Sequence, residues 1–135
     1  MRNLEDRERV DVELRHWRTM PLGRPRAPLL LAVRDPALRV ELAAALVLVG
    51  HRVVLARTPA ETAALARGAE VVVADARLVA GAGLATRQLL RKVVYIAVCE
   101  REAPTPRSAR ARFTPPFAPE DLVLAVLMLS GRCTR

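Results

Sequence analysis

The sequence predicts a single α/β domain built on a five-stranded, doubly wound parallel sheet. Apolar runs of strand length alternate along the chain with segments of helical periodicity, which is the pattern of βαβ units. Two of these runs, residues 71–74 and 93–98, are rich in valine and lack polar alternation, as is typical of strands that helices cover on both faces. At 135 residues the chain has room for one such core and not for a second domain.

Prolines and a glycine between residues 21 and 28 divide the chain. We therefore expect an N-terminal helix and proline-rich arm at residues 1–27. The compact domain is predicted at residues 28–131, and a short tail at residues 132–135.

The compact domain is predicted to open with a strand at residues 29–33, a helix at residues 36–49 and a strand at residues 52–55. Pro36 suits the first helical turn, and Gly50 is placed to end the helix. Start and stop signals agree, so this stretch predicts one βαβ unit.

Thr58, with Glu61 three residues later, predicts the capped start of a second helix that ends before Gly68. A strand at residues 70–74 follows, and Asp75 stands at its end.

Gly81 and Gly83 predict a loop before a short helix at residues 84–91, and residues 93–98 form the fourth predicted strand. Prolines and arginines then predict a loop over residues 100–112, where repetition of the unit would place a helix.

The domain closes with a predicted edge strand and a predicted helix. The strand covers residues 112–114 and the helix residues 119–130, followed by Gly131.

In this order the elements over residues 28–131 resemble the receiver domain of bacterial response regulators. The resemblance implies the flavodoxin-like strand order 2-1-3-4-5. This chain departs from the family pattern in a fourth helix that is reduced or missing, and the short spacing from Asp75 to Ala97 predicts a trimmed third helix. The resemblance also implies a place in two-component signal transduction. The phrases that carry it are Asp35-Pro36-Ala37-Leu38-Arg39, Val72-Val73-Ala74-Asp75, Thr114-Pro115-Pro116-Phe117 and Pro119-Glu120-Asp121-Leu122.

The resemblance implies that Asp75 occupies the phospho-acceptor position, but the residues that would support phosphorylation differ. The acid pair that holds Mg²⁺ falls at Val33 and Arg34, and neither side chain suits a divalent cation. The switch Ser or Thr falls at about Ala97, and the phosphate-pairing Lys at Pro115. The predicted pocket, with no metal and no catalytic residue, consists of Arg34, Asp35, Asp75, Ala97 and Pro115.

Two hypotheses for Asp75 are open. In the one we favour, the Arg34 guanidinium stands in for the missing metal and forms charge-assisted hydrogen bonds with the Asp75 carboxylate. In the other, Arg34 points to solvent and Asp75 only caps a loop.

Other residues do not indicate enzymatic chemistry. His16, His51 and Cys99 have no sequence context that supplies a base and an orienting group. Cys99 and Cys133 have no metal-ligand spacing and make no disulfide framework. The N-terminal region has no continuous apolar segment for a signal peptide or a membrane span. We therefore expect a soluble, cytoplasmic protein that is not an enzyme and has no cofactor.

The net charge of +8 favours a second hypothesis, a nucleic-acid-associated regulator, because arginines near phosphates release counterions. All but one of the 22 basic residues are arginine, which suits a GC-rich bacterial genome. Acidic residues are interspersed with them except over residues 107–112, and spread charge is usually a solvated surface. That run has only Phe113 as an aromatic neighbour, so a stacking platform is missing.

The final helix is apolar on every side over residues 122–129. The sheet needs only one stripe of it, so another element or chain must cover the rest. We predict a homodimer through Leu124, Leu127 and Met128. The alternative is a monomer in which the N-terminal helix folds back over this surface. In either case the N-terminal contact is predicted at Val10, Leu14 and Trp17.

The sequence therefore predicts a phosphorylation-independent, receiver-like signalling or regulatory protein that acts by binding a protein partner or its own copy. The nucleic-acid-associated regulator is the alternative. A phosphorylatable single-domain response regulator ranks third, because the metal-site residues differ.

Overall fold

The structure, a computed structural model, describes residues 27–130. The N-terminal helix predicted before residue 20 and the predicted tail lie outside the described residues. Five strands form one parallel sheet in the order β2-β1-β3-β4-β5, which confirms the predicted architecture and strand order. The strands are β1 (Leu29–Ala32), β2 (Val53–Ala56), β3 (Val71–Asp75), β4 (Val94–Val98) and β5 (Ala111–Phe113).

Helices cover both faces of the sheet. The first and last helices pack on one face, and the three helices between them pack on the other. Within residues 27–130, none of these helices has the length and apolarity needed to cross a bilayer. The helices are α1 (Pro36–Leu48), α2 (Pro59–Ala66), α3 (Ala76–Ala82), α4 (Leu84–Leu89) and α5 (Pro119–Ser130).

Local side chains start α1 and α2 at the predicted places. The Asp35 carboxylate accepts a hydrogen bond from the backbone N–H of Ala37 at 3.0 Å. The Thr58 hydroxyl accepts one from the N–H of Glu61 at 3.0 Å. The Glu61 carboxylate in turn accepts from the N–H of Arg57 at 2.7 Å. These contacts satisfy N–H groups that the first helical turn leaves without partners.

Side chains of the central strands alternate between two apolar cores. Along β1 and just after it, the side chains that pack toward α1 and α5 are Leu29, Leu31 and Val33. Those that pack toward α2 and α3 are Leu30 and Ala32. On the α2–α4 face, one row across the sheet is small. That row, in register, contains Ala56, Ala32, Ala74 and Ala97.

The segment between β3 and β4 contains more helix than the sequence predicts. Helix α3 begins directly after β3, where the glycines predict a loop, and the expected trimmed helix is instead two short helices. Gly83 breaks them with φ of +104°, a conformation that favours glycine. Gly81 lies within α3, where the helix comes close to α2. A Cβ at this position would lie 3.0 Å from Cγ of Pro59 in α2. The glycine at position 81 therefore serves close helix packing and not a loop.

The connection between β4 and β5 has no helix, as predicted, and the Arg112 side chain holds it in place. Its guanidinium donates hydrogen bonds to the carbonyl oxygens of Glu100 and Ala103, both at 2.6 Å. It also donates to the Thr105 hydroxyl at 2.8 Å. Arg112 is the register partner of Ala97, so it projects on the face where the alanine row leaves room.

Replacing Arg112 with Met tests this role, because Met keeps a long apolar stem and removes every donor. We expect the free energy of unfolding to fall by about 1–3 kcal/mol, since several charge-assisted hydrogen bonds disappear and the carbonyl oxygens of Glu100 and Ala103 lose their charged donor. Urea denaturation measures the change. Arg110→Met, at an exposed neighbour, is the control and should stay within about 0.5 kcal/mol of wild type. Equal effects of the two substitutions would contradict the role assigned to Arg112.

Candidate functional site

A cavity of about 370 Å³ opens at the carboxyl ends of β1, β3 and β4. In open parallel sheets this edge is where ligands bind, because the loops that leave the strands converge there. Four of the five predicted pocket residues line the cavity, namely Arg34, Asp35, Asp75 and Pro115.

Ala97, the fifth predicted residue, does not line the cavity. It lies one residue before the end of β4, fully buried on the face covered by α2, α3 and α4. The strand partner of Asp75 is Val98, and Val98 and Cys99 line the cavity instead. Neither of these side chains carries a hydroxyl group.

Asp75 acts as the N-cap of α3. Its carboxylate oxygen Oδ1 accepts a hydrogen bond from the backbone N–H of Arg77 at 2.9 Å. Arg34 lies exposed at the cavity rim, and within residues 27–130 it forms no ion pair with Asp75. The structure thus shows the capping arrangement, and not the Arg34–Asp75 pair that we favoured from the sequence.

The end of β1 is built from apolar and cationic groups. The Val33 side chain is 1% exposed and belongs to the core under α1 and α5. The Arg39 guanidinium donates a hydrogen bond to the Val33 carbonyl oxygen at 2.7 Å. A cation therefore already occupies the neighbourhood of this strand end.

The acidic side chains at this cavity are engaged in structural contacts. Mg²⁺ takes oxygen ligands in near-octahedral geometry, commonly one or two carboxylates with waters or phosphates completing the set. In the part of the chain that the structure describes, no three Asp, Glu, His or Cys side chains are grouped to hold a metal. Three acidic side chains line the cavity, but Asp35 and Asp75 each use one oxygen to cap a helix and Glu100 pairs with Arg77.

An ion pair at the cavity mouth was not evident from the sequence. The Arg77 guanidinium and the Glu100 carboxylate lie 2.7 Å apart, with side chains 58% and 65% exposed. At such exposure the pair adds little stability, because water screens it. It links the start of α3 to the β4–β5 connection, and only the fold brings the two residues together.

Two buried titratable groups lie near the cavity, Cys99 in its wall and Tyr95 in β4. Burial raises the pKa of the Cys99 thiol; the Asp75 carboxylate adds to the rise, and Arg112 opposes it. Burial also raises the pKa of the Tyr95 phenol, and the hydroxyl of Tyr95 has no hydrogen-bond partner among the described residues. Both groups are therefore protonated at neutral pH, so Cys99 is a poor nucleophile.

Comparison with known proteins shows similarity in structure only. No family model and no curated protein sequence matches this chain. A CheY-like response regulator receiver domain from Methanospirillum hungatei is 16% identical, over 77% of this chain and 94% of that chain, with a TM-score of 0.64. The signal receiver domain of a Luxo repressor protein from Vibrio parahaemolyticus is 11% identical, over 82% and 94%, with a TM-score of 0.66.

A third similar structure is the receiver domain of a sensor histidine kinase from Pseudomonas aeruginosa. It is 18% identical, over 79% of this chain and 99% of that chain, with a TM-score of 0.62. That domain has a magnesium ion coordinated in its active-site cleft. At these identities the similarity shows the fold, so the chain has the receiver-domain fold and the predicted resemblance is confirmed at that level.

Substitutions at Asp75 and Arg34 separate capping from ion pairing. We expect Asp75→Ala to lower the free energy of unfolding by about 1 kcal/mol, because the first turn of α3 loses its cap. Asp75→Asn should retain most of that stability, since an amide oxygen caps nearly as well. Arg34→Ala is expected to stay within about 0.5 kcal/mol of wild type in chemical denaturation. A large Arg34→Ala effect that disappears in the Asp75→Asn background would show that the two residues are paired.

Proposed function

We propose that this chain is a receiver-like regulatory protein that works without phosphorylation and acts by binding other protein chains. The observation that carries the proposal is the end of β1, where the positions of the family's acid pair hold the buried Val33 and the exposed Arg34.

Phosphoryl transfer to a carboxylate would lack support in this cavity. The reaction depends on cations that neutralise charge on the transferred phosphoryl group, and on a positioned acceptor. Pro115 supplies no cation, and the acidic side chains at the cavity are engaged in helix caps and an ion pair. The acceptor itself, Asp75, already uses one carboxylate oxygen to cap α3. We therefore propose that the chain is not an enzyme and that its surfaces carry its function.

The outer face of α5 is the surface we propose for self-association. Leu122 and Val126 are buried against the sheet, whereas Leu124, Leu127 and Met128 are 53%, 59% and 68% exposed. Monomeric proteins rarely expose several large apolar side chains on adjacent turns of one helix, and such patches mark interaction sites.

Helix α1 also carries exposed apolar side chains. It packs beside α5 on the same face of the sheet. Near its end it leaves Val47 and Leu48 exposed at 56% and 85%. Together the two helices offer a surface that a second copy of the chain can bury. The predicted N-terminal contacts at Val10, Leu14 and Trp17 lie outside the described residues.

The basic run at residues 107–112 does not act as one cationic cluster in the structure. The Arg112 guanidinium points inward and is bonded to the β4–β5 connection. The remaining arginines, Arg107 and Arg110, are exposed but lack an aromatic platform for bases. Binding through protein surfaces is thus better supported than nucleic-acid binding.

Acetyl phosphate with Mg²⁺ tests the proposed independence from phosphorylation. We expect the intact mass of the full chain to stay unchanged, because the cavity lacks the acid pair. The Pseudomonas aeruginosa receiver domain, which coordinates magnesium, is the positive control. A phosphoryl adduct on this chain that is lost in Asp75→Asn would overturn the proposal.

Light scattering on the full chain tests self-association. We expect twice the mass of one chain for wild type and one chain mass for Leu127→Arg, because a charge in the buried interface lacks a partner. The matched control is Leu65→Arg, an exposed leucine of α2 on the opposite face, which should remain dimeric. Monomeric wild type, or a chain that becomes monomeric and soluble when residues 1–24 are removed, would contradict the α5 dimer.

A further inference from the structure

A groove of about 650 Å³ runs between the α3–α4 segment and the β4–β5 connection. Its first wall comes from α3, α4 and the turn after α4, and it includes Val79, Ala80, Leu84, Arg87 and Arg91. The second wall is residues 103–108 of the connection. The groove lies beside the one crossover in the sheet that has no helix.

The second wall is held in a defined position. Arg112 bonds to the carbonyl oxygen of Ala103 and the hydroxyl of Thr105 from the sheet side. Pro104 and Pro106 restrict the backbone between and after these residues, since the proline ring fixes φ. A partner would therefore meet a preformed groove and would not have to order this wall.

The groove combines an apolar floor with a positive rim. Val79 is buried in the floor, and Leu84 is 62% exposed at the edge. Arg87, Arg91 and Arg107 line the rim, and none of them forms an ion pair with a described residue. No Asp or Glu side chain lines the groove. The rim therefore favours acidic groups on whatever the groove binds.

We propose that this groove binds an amphipathic helix of a protein partner, with an apolar stripe flanked by Asp or Glu side chains. An apolar helical stripe matches the floor, and its acidic flanks match the arginines of the rim. A helix usually forms the connection between two parallel strands. A partner helix in the groove would lie beside the connection that this fold leaves as a loop. The groove and the α5 surface lie on opposite faces of the sheet, so this inference stands apart from the proposed dimer.

A nucleic-acid strand fits the groove less well than a helix does. Strands without base-specific contacts are held by aromatic stacking platforms along a basic path. The groove has no aromatic side chain on either wall. The apolar floor would remain uncovered beneath a phosphate backbone.

A display selection with the full chain tests the proposal. The probe is a library of 18-residue helical peptides with a constant leucine stripe and randomised flanking positions. We expect the enriched peptides to carry Asp or Glu on the flanks. In fluorescence anisotropy, Arg87→Glu with Arg91→Glu should weaken binding of an enriched peptide about tenfold or more. The control pair, Arg57→Glu with Arg67→Glu, makes the same charge change on exposed residues outside the groove and should leave binding unchanged.

Charge reversal distinguishes direct contact from damage to the fold. The same peptide with lysine flanks should bind the Arg87→Glu, Arg91→Glu variant more tightly than it binds wild type. Leu127→Arg should not change peptide affinity, so failure of the dimer would leave this inference intact. Enriched peptides without an acidic bias, no enrichment at all, or full affinity in the double variant would overturn it. A thymidine oligonucleotide that displaces the peptide with equal affinity would also overturn it.

Discussion

The guanidinium of Arg112 supports the one crossover of the sheet that has no helix. Parallel strands are buried on both faces, so every connection must cover apolar surface and satisfy its own backbone groups. Arg112 leaves β5 in register with Ala97, where small side chains leave space on that face. Its hydrogen bonds to Glu100 and Ala103 hold an irregular loop against the sheet. One side chain thus stabilises a connection that a helix forms elsewhere in the sheet.

Charged side chains also make structural contacts at the carboxyl edge of the sheet. Arg39 binds the Val33 carbonyl oxygen, and Asp35 and Asp75 cap the helices that follow their strands. These contacts stabilise the start of α1 and α3, whereas the Pseudomonas aeruginosa receiver domain coordinates magnesium in its active-site cleft. Cys99, in the cavity wall, is kept protonated by burial. The cavity keeps its position in the fold, but its acidic side chains are engaged in helix caps and an ion pair.

What the molecule offers instead is two exposed surfaces on opposite sides of one sheet. The α5 surface is apolar and suits a second copy of the chain. The groove beside α4 is apolar at its floor and basic at its rim, which suits an acidic helix. Because the sheet separates them, both surfaces can be occupied at once. The two proposals together describe a chain that binds a second copy on one face and a partner helix on the other.

Patterns confined to a few neighbouring residues were enough to predict the alternation of strands and helices, the cap at Thr58 and the β4–β5 connection without a helix. The strand order was predicted from the resemblance to receiver domains. Periodicity, capping residues and prolines act on neighbouring residues, so their effects can be predicted from the sequence alone. Helix α3, the Arg77–Glu100 pair and the Arg112 contacts depended on the tertiary structure. Gly81 is an example: a side chain at this position would crowd Pro59 of another helix, so the glycine reflects helix packing and not a turn. Contacts between residues distant in sequence exist only after the sheet has set their register.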